Sequence, residues 1–230
     1  MLKNDTKTKD PVNQPLITLE QQIGLQTLGV MNNAVWHEDP KRLVFTLARY
    51  KFVAKMLTGK KRVAEIGCGD GFGSRIVRQE VGSLLITDYD SYFIDKFMEN
   101  ASEKWPINAQ THDILEAPLS KKMDAIYSLD VLEHIPKHQE DIFLTNFCLS
   151  LKGNGCAIVG MPSLESQIHA SPSSHEGHVN CKSGNELHVL LLQYFEHVFM
   201  FSMNDEVVHT GFSKMAHYLL ALCTTPIGER

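Results

Sequence analysis

The segment that most restricts the fold is Arg62-Val63-Ala64-Glu65-Ile66-Gly67-Cys68-Gly69-Asp70-Gly71-Phe72-Gly73, where a strand-like apolar run meets glycines at alternate positions. Glycine lets the chain turn sharply there and leaves backbone amides uncovered, so a ligand can approach the start of the next helix. A dinucleotide site uses the same device, but its fingerprint is GxGxxG after an uncharged strand end. Here Gly67, Gly69 and Gly71 are spaced by two, and Glu65 stands two residues before the first of them. A carboxylate at that place repels a pyrophosphate and suits a ligand with an ammonium or sulfonium charge. The next apolar run ends in Ile86-Thr87-Asp88, and Asp88 lies 21 residues after Gly67. An acid at the end of a second strand accepts the ribose hydroxyls of a nucleoside, whichever cofactor carries it.

The surrounding pattern supplies a sheet for this turn. Short apolar runs cover Arg62 to Ile66, Leu84 to Asp88, Asn108 to Thr111, Met123 to Leu129 and Gly155 to Met161. Helical stretches lie between most of them, near Phe72 to Glu80, Ser91 to Asn100 and Gln139 to Leu151. Such alternation predicts a mostly parallel sheet covered on both faces. Upstream, Leu19 to Val35 reads as one helix, and Asp39-Pro40 as the cap and first turn of a second helix reaching about Leu57. Downstream, Pro162 to Lys182 is a long polar stretch of the kind that carries function. Ser183-Gly184-Asn185-Glu186 fits a capping box opening a helix to about Tyr194. The runs His197 to Met203 and Met215 to Cys223 suit a closing antiparallel strand pair, although the second also fits a helix. With 230 residues, 43% of them hydrophobic, the chain has core enough for one domain, expected over 17–230 after a loose tail at 1–16.

Read as ordered motifs, residues 40 to 162 resemble the class I S-adenosylmethionine-dependent methyltransferases, and most closely the small-molecule branch that includes ubiquinone-biosynthesis enzymes. Glu65 to Gly71 is similar to the family's first motif, and Asp88-Tyr89-Asp90-Ser91 to its ribose-binding motif. His112-Asp113-Ile114 with Pro118 is similar to the adenine-holding segment, Met123 to Ile135 to the fourth-strand motif, and Leu151 to Gly155 to the turn into strand five. The resemblance implies a three-layer, Rossmann-like α/β fold with a seven-stranded, mostly parallel sheet and an N-terminal helical cover. It implies S-adenosyl-L-methionine as cofactor, held by Glu65, Gly67, Cys68 (through its backbone), Gly69, Gly71, Asp88, Tyr89, Asp113, Ile114 and Leu129. In that branch an arginine on the preceding helix reaches the cofactor's carboxylate, a role that Arg49 or its neighbour Tyr50 fits.

Two histidines are candidate catalytic bases for a hydroxyl acceptor. His134 follows the fourth strand, and His178 lies in the 163–182 loop together with His169, His175 and Glu176. Imidazole titrates near neutrality, as general-base work requires. His209 is a weaker candidate on the acceptor side. No metal is expected: His175-Glu176-Gly177-His178 is HExH, not the HExxH that sets two ligands on one helical face. The expected reaction is methyl transfer to a hydroxyl or amine of a small polar metabolite or saccharide precursor. A non-catalytic S-adenosylmethionine-binding or regulatory protein of the same fold is the alternative. With 22 Lys plus Arg against 27 Asp plus Glu, the net charge of -5 argues against nucleic acid as partner. No apolar run reaches the roughly 20 residues of a membrane span, so no membrane partner and a cytoplasmic location are expected. The five scattered cysteines, with no CxxC, read as reduced thiols.

Overall fold

The structure, a computed structural model, describes residues 7–227. Helices α1 (Gln14–Ile23), α2 (Val30–Glu38) and α3 (Pro40–Met56) precede strand β1 (Arg62–Ile66). There follow α4 (Ser74–Arg78), β2 (Ser83–Asp88), α5 (Ser91–Glu99), β3 (Asn108–Thr111), β4 (Met123–Leu129), α6 (Glu140–Leu149) and β5 (Leu151–Pro162). The chain ends in α7 (Pro172–Gly177), α8 (Gly184–Leu191), β6 (Phe195–Asn204), β7 (Val207–His209) and β8 (Tyr218–Pro226). Among the described residues no helix is long and apolar enough to cross a membrane.

All strands join one sheet in the order β3-β2-β1-β4-β5-β8-β6-β7. Strands β3, β2, β1, β4 and β5 are mutually parallel, and β8 lies antiparallel between β5 and β6. Alternation along the buried strands feeds two cores, one on each face. Ala64, Ile66, Ile126, Ala157 and Val159 meet Phe143, Phe147, Leu187 and Leu191 of α6 and α8. Val63, Ala125, Tyr127 and Ile158 meet Val53, Leu57, Val77 and Phe97 of α3, α4 and α5. The three-layer α/β architecture is thus present as expected.

Differences from the expected architecture have local causes. The sheet has eight strands and not seven, because β6 turns through Asp205 (φ 48°) into the short hairpin partner β7. The expected helix over 19–35 is two helices, separated at Gly24 (φ 71°) and Gly29 (φ 84°), whose left-handed backbone no regular helix contains. A 3₁₀ turn at Pro11–Asn13 and then α1 occupy part of the stretch expected to be a loose tail, although α1 buries no residue; residues 1–6 of that stretch lie outside the described residues. Asp39 precedes α3 without a side-chain capping bond. The last strand begins at Tyr218 and not Met215, since Ser213–Met215 makes a 3₁₀ turn. The capping box at α8 is complete, with Ser183 and Glu186 each accepting from the other's backbone N–H.

Candidate active site

From β1 the chain winds outward through β2 to β3 and then returns to the other side of β1 to make β4. That reversal opens a crevice at the carboxyl ends of β1 and β4, the place where open α/β sheets bind ligands. A cavity of about 530 Å³ lies there. Gly67, Gly69, Asp88 and Tyr89 line it together with His112 to Leu115, Asp130, Val131 and His134.

The turn after β1 needs its glycines for two different reasons. Gly67, Gly69 and Gly71 all have positive φ, at 73°, 51° and 63°. A Cβ on Gly67 would stand 2.3 Å from Val131, and one on Gly69 2.6 Å from the sulfur of Met31, so both glycines keep the cavity wall open. Gly71 lies outside that cavity, where a Cβ would strike Phe97 and Ile86 at 2.7 and 2.9 Å. The turn is tied to β2: Gly67 and Cys68 donate to the Thr87 carbonyl at 2.8 and 2.9 Å, and Gly69 donates to the Asp88 carboxylate at 2.8 Å. The other Asp88 oxygen accepts from Asp90 N at 3.0 Å. Cys68 is buried, burial raises its thiol well above the usual range, and its Sγ donates to the Gly69 carbonyl at 3.4 Å. Asp70, one residue on, accepts from the backbone and side chain of Asn32 at 2.9 and 2.8 Å. This pair docks α2 over the turn and brings Met31 to the cavity, which makes α2 the helical cover. The Asp70–Asn32 contact had no sequence signal, because nothing local marks a pair 38 residues apart.

Glu65 does not meet the cavity as the sequence reading expected. Strand alternation puts it on the same face as Val63, toward α3 and α4, and it is 0% exposed. Tyr50 and Tyr127 donate to its carboxylate at 2.8 and 2.7 Å, and the Ser74 hydroxyl donates as well. Burial nevertheless lifts this carboxyl to about 7, against the three hydroxyls that favour its ionised form. Tyr50 is thereby committed beneath the turn. Leu129 is a buried core residue at the end of β4 and does not line the cavity. Asp113 and Ile114 do line it, and Asp113 caps the next turn by accepting from Leu115 N at 2.8 Å.

Arg49 has a partner other than the one the sequence reading assigned. Its Nη1 donates to both carboxylate oxygens of Asp130 at 2.9 and 2.7 Å, and its guanidinium lies 3.7 Å from the centre of the Tyr218 ring. Asp130 has φ 57°, a strained value for a non-glycine residue, at the point where β4 enters the cavity. Sequence reading placed it in the fourth-strand motif without a role.

Histidines 134 and 178, 44 positions apart, come together with ring centres 5.2 Å apart. His134 Nδ1 lies 2.9 Å from the Gly177 carbonyl, and His178 Nδ1 lies 2.8 Å from Gln167 Oε1. Burial, then the neighbouring His134, lowers the pKa of His178. The loop carrying His178 is anchored where Glu140 accepts from Asn180 and Lys182 at 2.7 and 2.5 Å. Beside the pair, Glu133 is 0% exposed and neither carboxylate oxygen has a partner among the described residues; burial, then the Asp130 charge, pushes its carboxyl well above the usual range. His169 and His175 are exposed, and His209 bonds Asn204 on the terminal hairpin away from the cavity.

Residues 63–155 match the profile of a family described as a methyltransferase domain. Comparison with curated protein sequences gives no match. Several solved structures share the fold. The N-methyltransferase NodS from Bradyrhizobium japonicum, bound to S-adenosyl-L-homocysteine, superposes with TM-score 0.60 at 18% identity, covering 84% of this chain and 91% of that one. A TehB-like SAM-dependent methyltransferase from Corynebacterium glutamicum gives 0.61 at 17%, covering 94% and 100%. A putative methyltransferase from Haloferax volcanii, solved in complex with the Trm112 activator, gives 0.65 at 13%, covering 84% and 97%.

Proposed function

We propose that this chain, whose residues 63–155 match a methyltransferase-domain family, is a class I, S-adenosylmethionine-dependent enzyme that methylates a hydroxyl, or an amine, of a small polar metabolite or saccharide precursor. The observation that carries the reading is a single cavity lined by the glycine turn and Asp88 and also by His134, which stands beside His178. The bare walls at Gly67 and Gly69 suit close approach of a nucleoside amino acid, and the fit extends to the acids. Asp88 and Tyr89 would hold the ribose, and Asp113 with the backbone at Ile114 the adenine. The cofactor supplies an electrophilic methyl group.

The chain's own part is alignment and proton handling. Holding the acceptor oxygen in line in a cavity closed by α2 supplies most of the rate. A neutral imidazole in that cavity then takes the hydroxyl proton, help of order 10² to 10⁴ for general bases. The polar 163–182 loop and the negative net charge support a polar acceptor and not a nucleic acid.

Calorimetry with S-adenosylhomocysteine tests the cofactor end: binding is expected, and Asp88→Ala should weaken it greatly. Absence of binding to the intact chain would end this reading. Transfer of a tritiated methyl group into hydroxylated metabolites tests the other end. Binding with no transfer to any acceptor would favour the non-catalytic alternative.

A further inference from the structure

Glu133, His134 and His178 are three lone-pair donors that converge beside the cavity, which His134 lines. The ligand atoms of Glu133, His134 and His178 lie within 4.8 Å of one another. Glu133 is fully buried, and both its oxygens lack a hydrogen-bond donor among the described residues. Its backbone carbonyl accepts from Asn180 N at 2.9 Å, which pins the loop to this turn and keeps His178 beside it.

The two imidazoles are held in one tautomer. The Gly177 carbonyl can only accept, so His134 Nδ1, at 2.9 Å, carries the proton and Nε2 is bare. Gln167 Nε2 donates to the Ser163 carbonyl at 3.1 Å, which turns Gln167 Oε1 toward His178. His178 Nδ1 therefore carries its proton too, and its Nε2 is bare. An imidazole whose outer nitrogen donates to a carbonyl while the other is free is the arrangement that orients metal-binding histidines.

From this convergence we infer that Glu133, His134 and His178 bind one divalent first-row transition cation, of the Mn²⁺, Co²⁺ or Zn²⁺ class, beside the cavity that His134 lines. One carboxylate with two imidazoles suits such ions better than Mg²⁺ or Ca²⁺, which favour oxygen ligands. Bonds of about 2.0–2.2 Å place ligand atoms roughly 3 to 4 Å apart, so sub-ångström side-chain movements close the present spacing. Of His175-Glu176-Gly177-His178 only His178 takes part, since His175 and Glu176 are exposed and the carboxylate comes from the turn after β4. Because His134 also lines the cavity, the ion's remaining positions face the acceptor.

The ion's role rests on the methyl-transfer reading. A hydroxyl bound to it loses its proton to water more readily, as metal-bound water does. The oxygen then forms its bond to the methyl carbon as the carbon–sulfur bond breaks, leaving a thioether. In that case the two histidines act as ligands, and the ion replaces the general base.

The test is titration of chelator-treated protein with Co²⁺, Mn²⁺, Zn²⁺ or Mg²⁺ alone, by calorimetry and, for Co²⁺, visible absorption. One equivalent of each transition ion should bind, with Mg²⁺ far weaker. Glu133→Gln and His178→Ala should abolish binding, Gln167→Ala should weaken it by about 10- to 100-fold, and His175→Ala should leave it unchanged. Retained S-adenosylhomocysteine binding and melting temperature certify that each variant is folded; His178 is a loop residue, so its variant remains informative if Glu133→Gln misfolds. No stoichiometric binding to the intact chain, or undiminished binding in the His178 variant, overturns the site. Cofactor binding without cation binding retires the cation site alone, and cation binding without cofactor binding retires the methyl-transfer reading alone. Full turnover in excess chelator overturns the ion's role in activation.

Discussion

Around the glycine turn the polar groups are answered within the chain, whereas around Glu133 several are not. Asp88 already accepts from Gly69 and Asp90, Asp113 from Leu115, and Asp70 from Asn32. Glu133 accepts nothing at its carboxylate, and the His134 and His178 rings each use one nitrogen only on a protein acceptor. The first region is a preformed mould whose shape survives without a ligand. The second holds one buried carboxyl group, that of Glu133, with no donor among the described residues, an arrangement that costs stability.

The sharpest way to break this contrast is to fill the mould. Gly67→Val adds a branched side chain where φ is 73° and a Cβ already overlaps Val131. Strain and overpacking together should cost about 3 to 5 kcal/mol, read by urea unfolding, with S-adenosylhomocysteine binding lost. Retained cofactor affinity in this variant would show that the turn is not a rigid mould.

A second experiment probes the support beneath the turn. Glu65 titrates near 7 in the folded chain and near 4.3 unfolded. Between those values the folded chain keeps a proton that the unfolded chain has released, so stability falls as pH rises through this window and levels off above it. The loss should be about 3 kcal/mol. Glu65→Gln removes the titration, and its difference in stability from the parent should change by that amount between pH 4.5 and 7.5. A constant difference would mean that the three hydroxyls outweigh burial.

The smallest effect expected is at the loop. Ser183→Ala removes half of the capping box that closes the 163–182 segment and should cost about 1 kcal/mol. If the two regions are independent, it should loosen cation or acceptor binding while cofactor affinity stays unchanged.

Much of this layout was readable along the chain. The bounds of β1, β3 and β4 follow from apolar runs, the turn from its glycines, and the α8 start from Ser183 and Glu186. His134 and His178 were separately recognisable as chemistry-bearing residues, one after a strand and one in an overlong loop. The orientation of Glu65 was not, because its place two residues before Gly67 says nothing about which face it takes until α3 supplies Tyr50. Arg49 likewise reads as a free guanidinium until β4 brings Asp130 to it.

Local pattern alone determined the order of elements from β1 to β5, the open turn and the acid that follows β2, since each depends on neighbours within a few residues. Tertiary structure alone decided that Glu65 lies beneath the turn, that Arg49 is spent on Asp130, and that Glu133, His134 and His178 come together beside the cavity. Those outcomes depend on which faces of distant elements pack together, and burial sets the electrostatic consequences of each contact.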